Sequence, residues 1–273
     1  MKKNKSLLLS GPYILWMIVF TLVPLCVVLF YALTDVETGR FTVDNIKDLG
    51  LYLPALGRSI GYSFIGALIC LVIGYPVAYY MSNCSPVAQK FLYMLVMLPM
   101  CMSFLLRTLA WVGLLQDTGI INNLLASMGL PRLQLIRTPG AVILGMVYNY
   151  LPYMILPLYG IIVKIDRRLV QAAEDLGCNG RKVFSKVILP LSMPGILSGM
   201  TMVFVPAVST FYISNKLGST ETILIGDIIE RQFKQGDNAN MGAALSLLLM
   251  VLVFVCTGII NRFGGGEEGS VIV

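Results

Sequence analysis

Met241-Gly-Ala-Ala-Leu-Ser-Leu-Leu-Leu-Met-Val-Leu-Val-Phe-Val-Cys-Thr-Gly-Ile-Ile260 is a run of twenty residues without a charged side chain. A helix needs about 20 mostly apolar residues to cross the hydrocarbon of a bilayer, so this run by itself reads as a membrane span. Five stretches upstream are similarly apolar, with Arg107 the one charge among them: 7–33, 60–81, 91–115, 141–163 and 196–213. None of the six contains Asp or Glu. Of the 273 residues 57% are hydrophobic and 12% charged, and a soluble domain carries roughly twice that charged fraction. So much apolar side chain needs lipid as its solvent. The fold class that follows is an all-α polytopic membrane protein with six transmembrane helices, a single transmembrane domain over 1–273.

The net charge of +6 does not point to nucleic acid, because the basic residues are scattered among apolar runs and form no basic-aromatic patch. A bias that orients the chain in a membrane explains it better. With the N-terminus placed in the cytoplasm, Lys2, Lys3, Lys5, Lys90, Lys164, Arg167, Arg168, Arg181, Lys182, Lys186 and Arg262 lie inside, eleven in all. Outside lie eight: Arg40, Lys47, Arg58, Arg132, Arg137, Lys216, Arg231 and Lys234. Six of the inner ones crowd into one loop, 164–194, so both termini are expected to be cytoplasmic. The first run is too long for a signal h-region and no A-x-A site follows it, so it reads as a retained span. The glycine-rich tail 264–273 reads as flexible, and 119–130 as a short interfacial helix.

Six cysteines without C-x-x-C spacing and no histidine leave neither a metal site nor a His-based triad to expect. No catalytic residue is assigned. Prolines 24, 76, 99, 152, 157 and 206 fall inside the first five spans, where bends are expected. Arg107 is the one strong charge within a span, and it reads as structural, snorkelling outward or pairing with an acid such as Asp117 or one on a partner subunit. Gly57-x-x-x-Gly61 and Gly195-x-x-x-Gly199 read as close helix contacts.

The loop 164–194 has patterning of its own. Leu169, Ala172, Ala173 and Leu176 recur at i, i+3, i+4 and i+7, one apolar helical face, with Gln171, Glu174 and Asp175 away from it. Asp166 reads as an N-cap and Gly177 as the stop. A second helix reads from Asn179 to Leu189, limited by Pro190. From the residues alone, this pair suits docking against a partner or resting on the bilayer surface equally well.

Gln171-Ala172-Ala173-x-x-x-Gly177, then nine residues, then Val187-Ile188-Leu189-Pro190 resembles the EAA motif of permease subunits of ABC importers, E-A-A-x-x-x-G-x9-I-x-L-P. Gln stands for Glu and Val for Ile. Met97-Leu98-Pro99 with Ser103-Phe104-Leu105-Leu106-Arg107-Thr108-Leu109-Ala110-Trp111 is similar to spermidine/putrescine permeases of the PotB type. So are Gly119-Ile-Ile-Asn122, the stretch from Tyr148 through Tyr159 to Arg167, Phe211-Tyr212-Ile213-Ser214 and Leu224-Ile225-Gly226. Leu109 and Asn215 depart from that pattern.

The resemblance implies a type I ABC-importer permease fold. It implies that Leu169, Gln171, Ala172, Ala173, Glu174, Asp175, Gly177, Leu189 and Pro190 couple the chain to its ATPase. The implied partners are two copies of an ABC ATPase subunit, a second homologous permease, an extracytoplasmic substrate-binding protein and the lipid bilayer. The sequence lacks a G-x-x-x-x-G-K-[ST] loop. ATP and Mg are therefore expected on the ATPase subunit, with no cofactor here and no enzymatic activity. A polyamine path wants carboxylates for its ammonium groups and aromatic faces for its methylenes and charge, and the candidates are Trp111, Asp117, Tyr148, Tyr150, Phe211 and Tyr212. Outer acids lead outer bases by nine to eight, which permits cation attraction. The rival readings are an ABC permease for sulfate, molybdate, ferric ion, phosphate or sugar, and a secondary transporter. Membrane-embedded carboxylates are missing for the latter.

Overall fold

The apolar runs fold as helices because a backbone in hydrocarbon must satisfy every N–H and C=O internally. The computed structural model describes residue 13 and residues 15–34, 40–42, 44–234 and 238–263. Lys2, Lys3, Lys5, the start of the first run and the tail 264–273 lie outside the described residues. Among the described residues, six helical stretches are long and apolar enough to cross a membrane: Leu15–Ala32, Leu49–Asn83, Phe104–Ser127, Pro139–Ile162, Gly180–Val208 and Ala239–Ile260. The elements named below are α1 (Val23–Ala32), α2 (Leu53–Asn83), α3 (Pro86–Met97), α4 (Phe104–Leu115), α5 (Ile120–Ser127), α6 (Pro139–Ile162), α7 (Arg167–Asp175), α8 (Leu189–Val208), α9 (Tyr212–Leu217), α10 (Ile225–Lys234) and α11 (Ala239–Phe263).

The residues divide into two compact units, Met1–Pro54 with Ile228–Leu252, and Ala55–Asp227 with Val253–Val273. In the first unit, Ala32 at the end of α1 packs against Ala243 and Ala244. Alanines let the two backbones approach. The Asn240 amide donates to the Thr34 carbonyl at 2.5 Å, and Asn45 donates to the same carbonyl at 2.9 Å. Two amides thus satisfy the carbonyl that α1 leaves open at its end.

In the second unit the core is the α6–α8 pair. α6 is 24 residues long, about 36 Å at ~1.5 Å per residue, enough to span a hydrocarbon layer of about 30 Å. Thr138 caps its start, accepting from Ala141 N–H at 3.1 Å, with Pro139 in the first turn. Met146, Met154 and Leu158 of α6 and Val203 of α8 are fully enclosed. Gly195 and Gly199 make this seam possible. A Cβ on Gly199 would lie 2.7 Å from Met154 Sδ, and one on Gly195 3.2 Å from Ile161. The Gly57/Gly61 pair makes no such contact, since a Cβ at either would meet nothing within 4 Å. Small residues at that spacing mark a seam only where a partner helix is present.

Two spans depart from their reading. The third, expected as one helix over 91–115, is broken. α3 gives way to a 3-10 turn at Leu98–Cys101, Met102 is extended with ψ 147°, and α4 restarts at Phe104. Pro99 lacks the N–H to continue the ladder. Met102 N–H turns back to the Pro99 carbonyl at 3.2 Å. The fifth span, expected over 196–213, instead runs from Gly180 to Val208. Pro190 does not end the preceding helix, because a π-turn at Phe184–Ile188 comes just before it. Leu189 N–H donates to the Phe184 carbonyl. The wider turn shifts the ladder by one residue where a proline ring would clash with an α-helical carbonyl. At the other end Ser209 Oγ takes the Val205 and Pro206 carbonyls at 3.2 and 3.3 Å. That competes with continuation of the helix.

Candidate functional site

Two places in the second unit collect the sequence candidates. The first is α7. It has nine residues, too few to hold a helix in water unaided, and both ends are fastened. Asp166 Oδ1 accepts from Arg168 N–H at 2.9 Å. At the far end Gly177 has φ +79°, its N–H bonds the Glu174 carbonyl at 2.8 Å, and Cys178 N–H bonds the Ala173 carbonyl at 3.1 Å. This is a Schellman stop, for which glycine alone has no steric cost.

None of the α7 residues is buried. Leu169 is 49% and Leu176 86% exposed, so the apolar face read from the sequence points away from the chain's own core. Gln171 and Glu174 lie off that apolar face. They border, with Arg167, Tyr79, Asn83 and Ile188, a groove of about 270 Å³ beneath the helix. Leu189 and Pro190 belong to the first turn of α8, where Leu189 packs on the core and Pro190 is exposed.

Beside α7, Phe184 is on the apolar side expected of the second loop helix, and it meets tyrosines of α2 that the sequence does not mark. Phe184, in the π-turn, sets its ring edge-on to Tyr75 at 5.5 Å and to Tyr79 at 6.2 Å. Tyr75 and Ser192 share a buried hydrogen bond of 2.8 Å, tying α2 to α8. No periodicity announces such a contact, because it joins positions more than a hundred residues apart.

The second place is an aromatic cluster at the two helix breaks. Phe104 opens α4 just after the break at Met102. Its ring stacks on Tyr150 at 6.5 Å and lies 6.2 Å from Tyr212, which opens α9 just after the break at 209–211. The Tyr150 hydroxyl donates to the Pro206 carbonyl at 3.3 Å, and Tyr153 completes the group at 6.3 Å. Two turns along α4, Trp111 meets Tyr148 edge-to-face at 5.4 Å. The ammonium of Lys216 stands 5.9 Å from the Tyr212 ring, within cation–π reach. Irregular backbone at membrane depth survives where it is enclosed by protein or lines a cavity, so two breaks meeting at one set of rings mark this place out.

Of the six path candidates, Tyr150 and Tyr212 are joined through Phe104, and Trp111 and Tyr148 touch. Phe211 is exposed at the break, and Asp117 is exposed past the end of α4, outside the cluster. Arg107 neither snorkels nor pairs with Asp117. It is 6% exposed, and its Nε and Nη1 are buried without an acceptor. Asn149, fully buried, donates to the Gly145 carbonyl at 2.9 Å and leaves Oδ1 without a donor. Asn122 anchors α5, donating to the Leu133 carbonyl and accepting from Leu133 N–H, both at 2.9 Å.

Comparison with known proteins gives the family and the fold. Residues 71–264 fit the family model described as binding-protein-dependent transport system inner membrane component. The chain is 39% identical to the spermidine/putrescine transport system permease protein PotB of Haemophilus influenzae, covering 87% of this chain and 86% of that protein. It is 34% identical to PotB of Escherichia coli, covering 87% and 90%. Among solved structures, a bacterial ABC transporter involved in the import of the acidic polysaccharide alginate superposes with a TM-score of 0.80 at 18% identity, covering 97% of this chain and 98% of that one. An inward-facing MetNI methionine ABC transporter gives 0.62 at 17% identity, covering 80% and 96%. The two structures share the fold alone. With the family model spanning most of its length, the chain belongs to the binding-protein-dependent transport system inner membrane components, as a multi-pass membrane protein with the fold of ABC importer permeases.

Proposed function

We propose that this chain is the membrane-spanning permease subunit of an ATP-driven importer for polyamines, forming half of the translocation pathway. The observation that carries the reading is likeness to spermidine/putrescine permeases along 87% of the chain at 34–39% identity. The aromatic cluster supports it chemically. A polyamine is a string of alkylammonium groups, and Lys216 over Tyr212 is an alkylammonium already resting near one of the rings. A desolvated contact of this kind contributes on the order of 2 kcal/mol.

In this reading the 164–194 side is cytoplasmic, and α7 seats in a groove of the ATPase. Leu169, Ala172, Ala173 and Leu176 supply the apolar contact, with Gln171, Glu174 and Asp175 at its edge. ATP and Mg are held by two ATPase subunits, and this chain makes and breaks no bond. A second permease completes the path, and an extracytoplasmic binding protein delivers cargo. Movement of α7 reaches the spans through Phe184 and the Tyr75–Ser192 bond, so nucleotide state sets which side is open. Trp111, Tyr148, Tyr150, Phe211 and Tyr212 line the way, and Asp117 attracts cations at its outer mouth.

The test is ATP hydrolysis by the assembled complex in nanodiscs, with binding protein loaded with spermidine, putrescine, sulfate or maltose. Stimulation by polyamine-loaded protein alone is expected. Stimulation by another cargo overturns the substrate, and absence of any copurifying ATPase overturns the importer.

A further inference from the structure

α5 is apolar on two sides, and one of them is bare. On the inner side Ile121 packs against the core and Asn122 is fully buried. On the other side Ile120, Leu124 and Met128 recur every four residues along one helical face, each with 60% or more of its surface exposed. Leu130 and Leu133, just beyond, are exposed as well. No charged residue lies between Asp117 and Arg132. A helix that is apolar all round belongs in a nonpolar surrounding.

α5 also conceals its own polar groups. Asn123 turns its amide back to the Thr118 carbonyl at 3.1 Å, and Ser127 Oγ donates to the Leu124 carbonyl at 2.7 Å. At the C-terminal end Gly129 has φ +75°. Its N–H reaches the Ala126 carbonyl at 3.1 Å, and the Leu130 N–H reaches the Leu125 carbonyl at 2.9 Å. The carbonyls of Leu124, Leu125 and Ala126 are thereby satisfied within the chain, three of the four that a helix end leaves open. Water would serve those groups nearly as well, so an aqueous helix gains little by this. In hydrocarbon an open polar group is costly, and internal partners are required.

We propose that the bare face of α5 is a membrane anchor, sunk into the acyl boundary of the leaflet on the far side from α7. α5 follows α4 after only 116–119 and packs back against it, so it lies where a membrane-spanning helix leaves the bilayer. Leu105, Leu106 and Leu109 of α4 are exposed too, and the bare face of α5 extends that apolar surface. A protein partner fits less well. The face offers Ile, Leu and Met but no Trp, Tyr or Arg, the residues that anchor most protein contacts. Interfacial helices sink their apolar side about 5–10 Å into the headgroup boundary. Asp117 and Arg132, both exposed, bracket the charge-free segment and stay among the headgroups. The anchor ties the outer end of α4 to the bilayer whatever cargo the chain carries.

The experiment places a reporter on the bare face as Leu124→Trp, in the complex purified from membranes and returned to lipid vesicles. Emission added over the parent, whose Trp16 and Trp111 form the background, is read against two quenchers. One is a phosphatidylcholine brominated near the head of its acyl chains. The other is iodide on both sides of the vesicle. The added emission is expected to fall by about half or more with the brominated lipid and by less than about a tenth with iodide. Met128→Trp, one turn further along the same face, should give the same pair of results, and it decides if the first variant fails to assemble. Iodide quenching that equals or exceeds quenching by the lipid puts the face in water and overturns the anchor. Protection from both quenchers means that a protein covers the face, the second permease or the binding protein, and overturns lipid as its occupant.

Discussion

α6 and α7 are separated by a short turn, yet they are held by opposite means. α6 is held by what surrounds it. Eleven of its residues are buried, and its seam with α8 closes over Gly195 and Gly199. α7 is held by its ends. It buries nothing, and its helix is fixed by Asp166 at one terminus and Gly177 at the other. A helix stabilised by packing cannot be altered without disturbing the fold. A helix stabilised by caps keeps its faces free for something else. The comparison can be broken or sharpened by substitutions that strike each kind of support.

The largest effect is expected at the α6–α8 seam. In Gly199→Leu, the new Cβ would begin 2.7 Å from Met154 Sδ and 3.3 Å from the Met154 carbonyl oxygen. Overpacking of this kind costs typically 1–3 kcal/mol, so a loss of about 3 kcal/mol is expected. A thermal melt of the purified complex, with expression level as a second readout, checks it. An unchanged melt would mean that the seam opens freely.

Gly177→Val comes next. Holding a β-branched residue at φ +79° costs about 1–2 kcal/mol. The cost falls on the stop of α7, away from the core. ATPase coupling should fall several-fold while the global melt moves little. Asp166→Ala removes only a cap, worth about 1 kcal/mol. It should fray the first turn of α7, seen as faster amide exchange at Arg168, with a partial loss of uptake.

This contrast also marks what a sequence can disclose. α6 was legible to within two residues, 141–163 against Pro139–Ile162, because a long apolar run has one stable answer in lipid. The caps of α7 were legible because capping is chemistry between neighbours in the chain. The break at Met102–Ser103 was not. Ser103 is the one polar residue at the break, and Pro99 reads like one more tolerated kink. Pro190 misled in the opposite direction, since the π-turn that accommodates it leaves no residue signature. The enclosure of Arg107 and the meeting of Phe104 with Tyr150 and Tyr212 come from packing between distant segments, beyond the reach of periodicity.

The smallest effect on the fold should accompany one of the largest effects on transport. Leu176 is 86% exposed, follows the last residue of α7 and touches no core. A surface substitution away from such support changes stability by less than about 0.5 kcal/mol. Leu176→Asp should therefore melt like the parent. A carboxylate placed where a partner buries an apolar face is a different matter. Desolvating it without a counter-charge costs several kcal/mol, enough to release the ATPase. Normal melting with lost ATP-driven uptake would mean that the exposed face of α7 exists for another protein. Normal uptake would leave α7 as a surface turn that happens to be well capped, and its exposed leucines would face lipid headgroups instead.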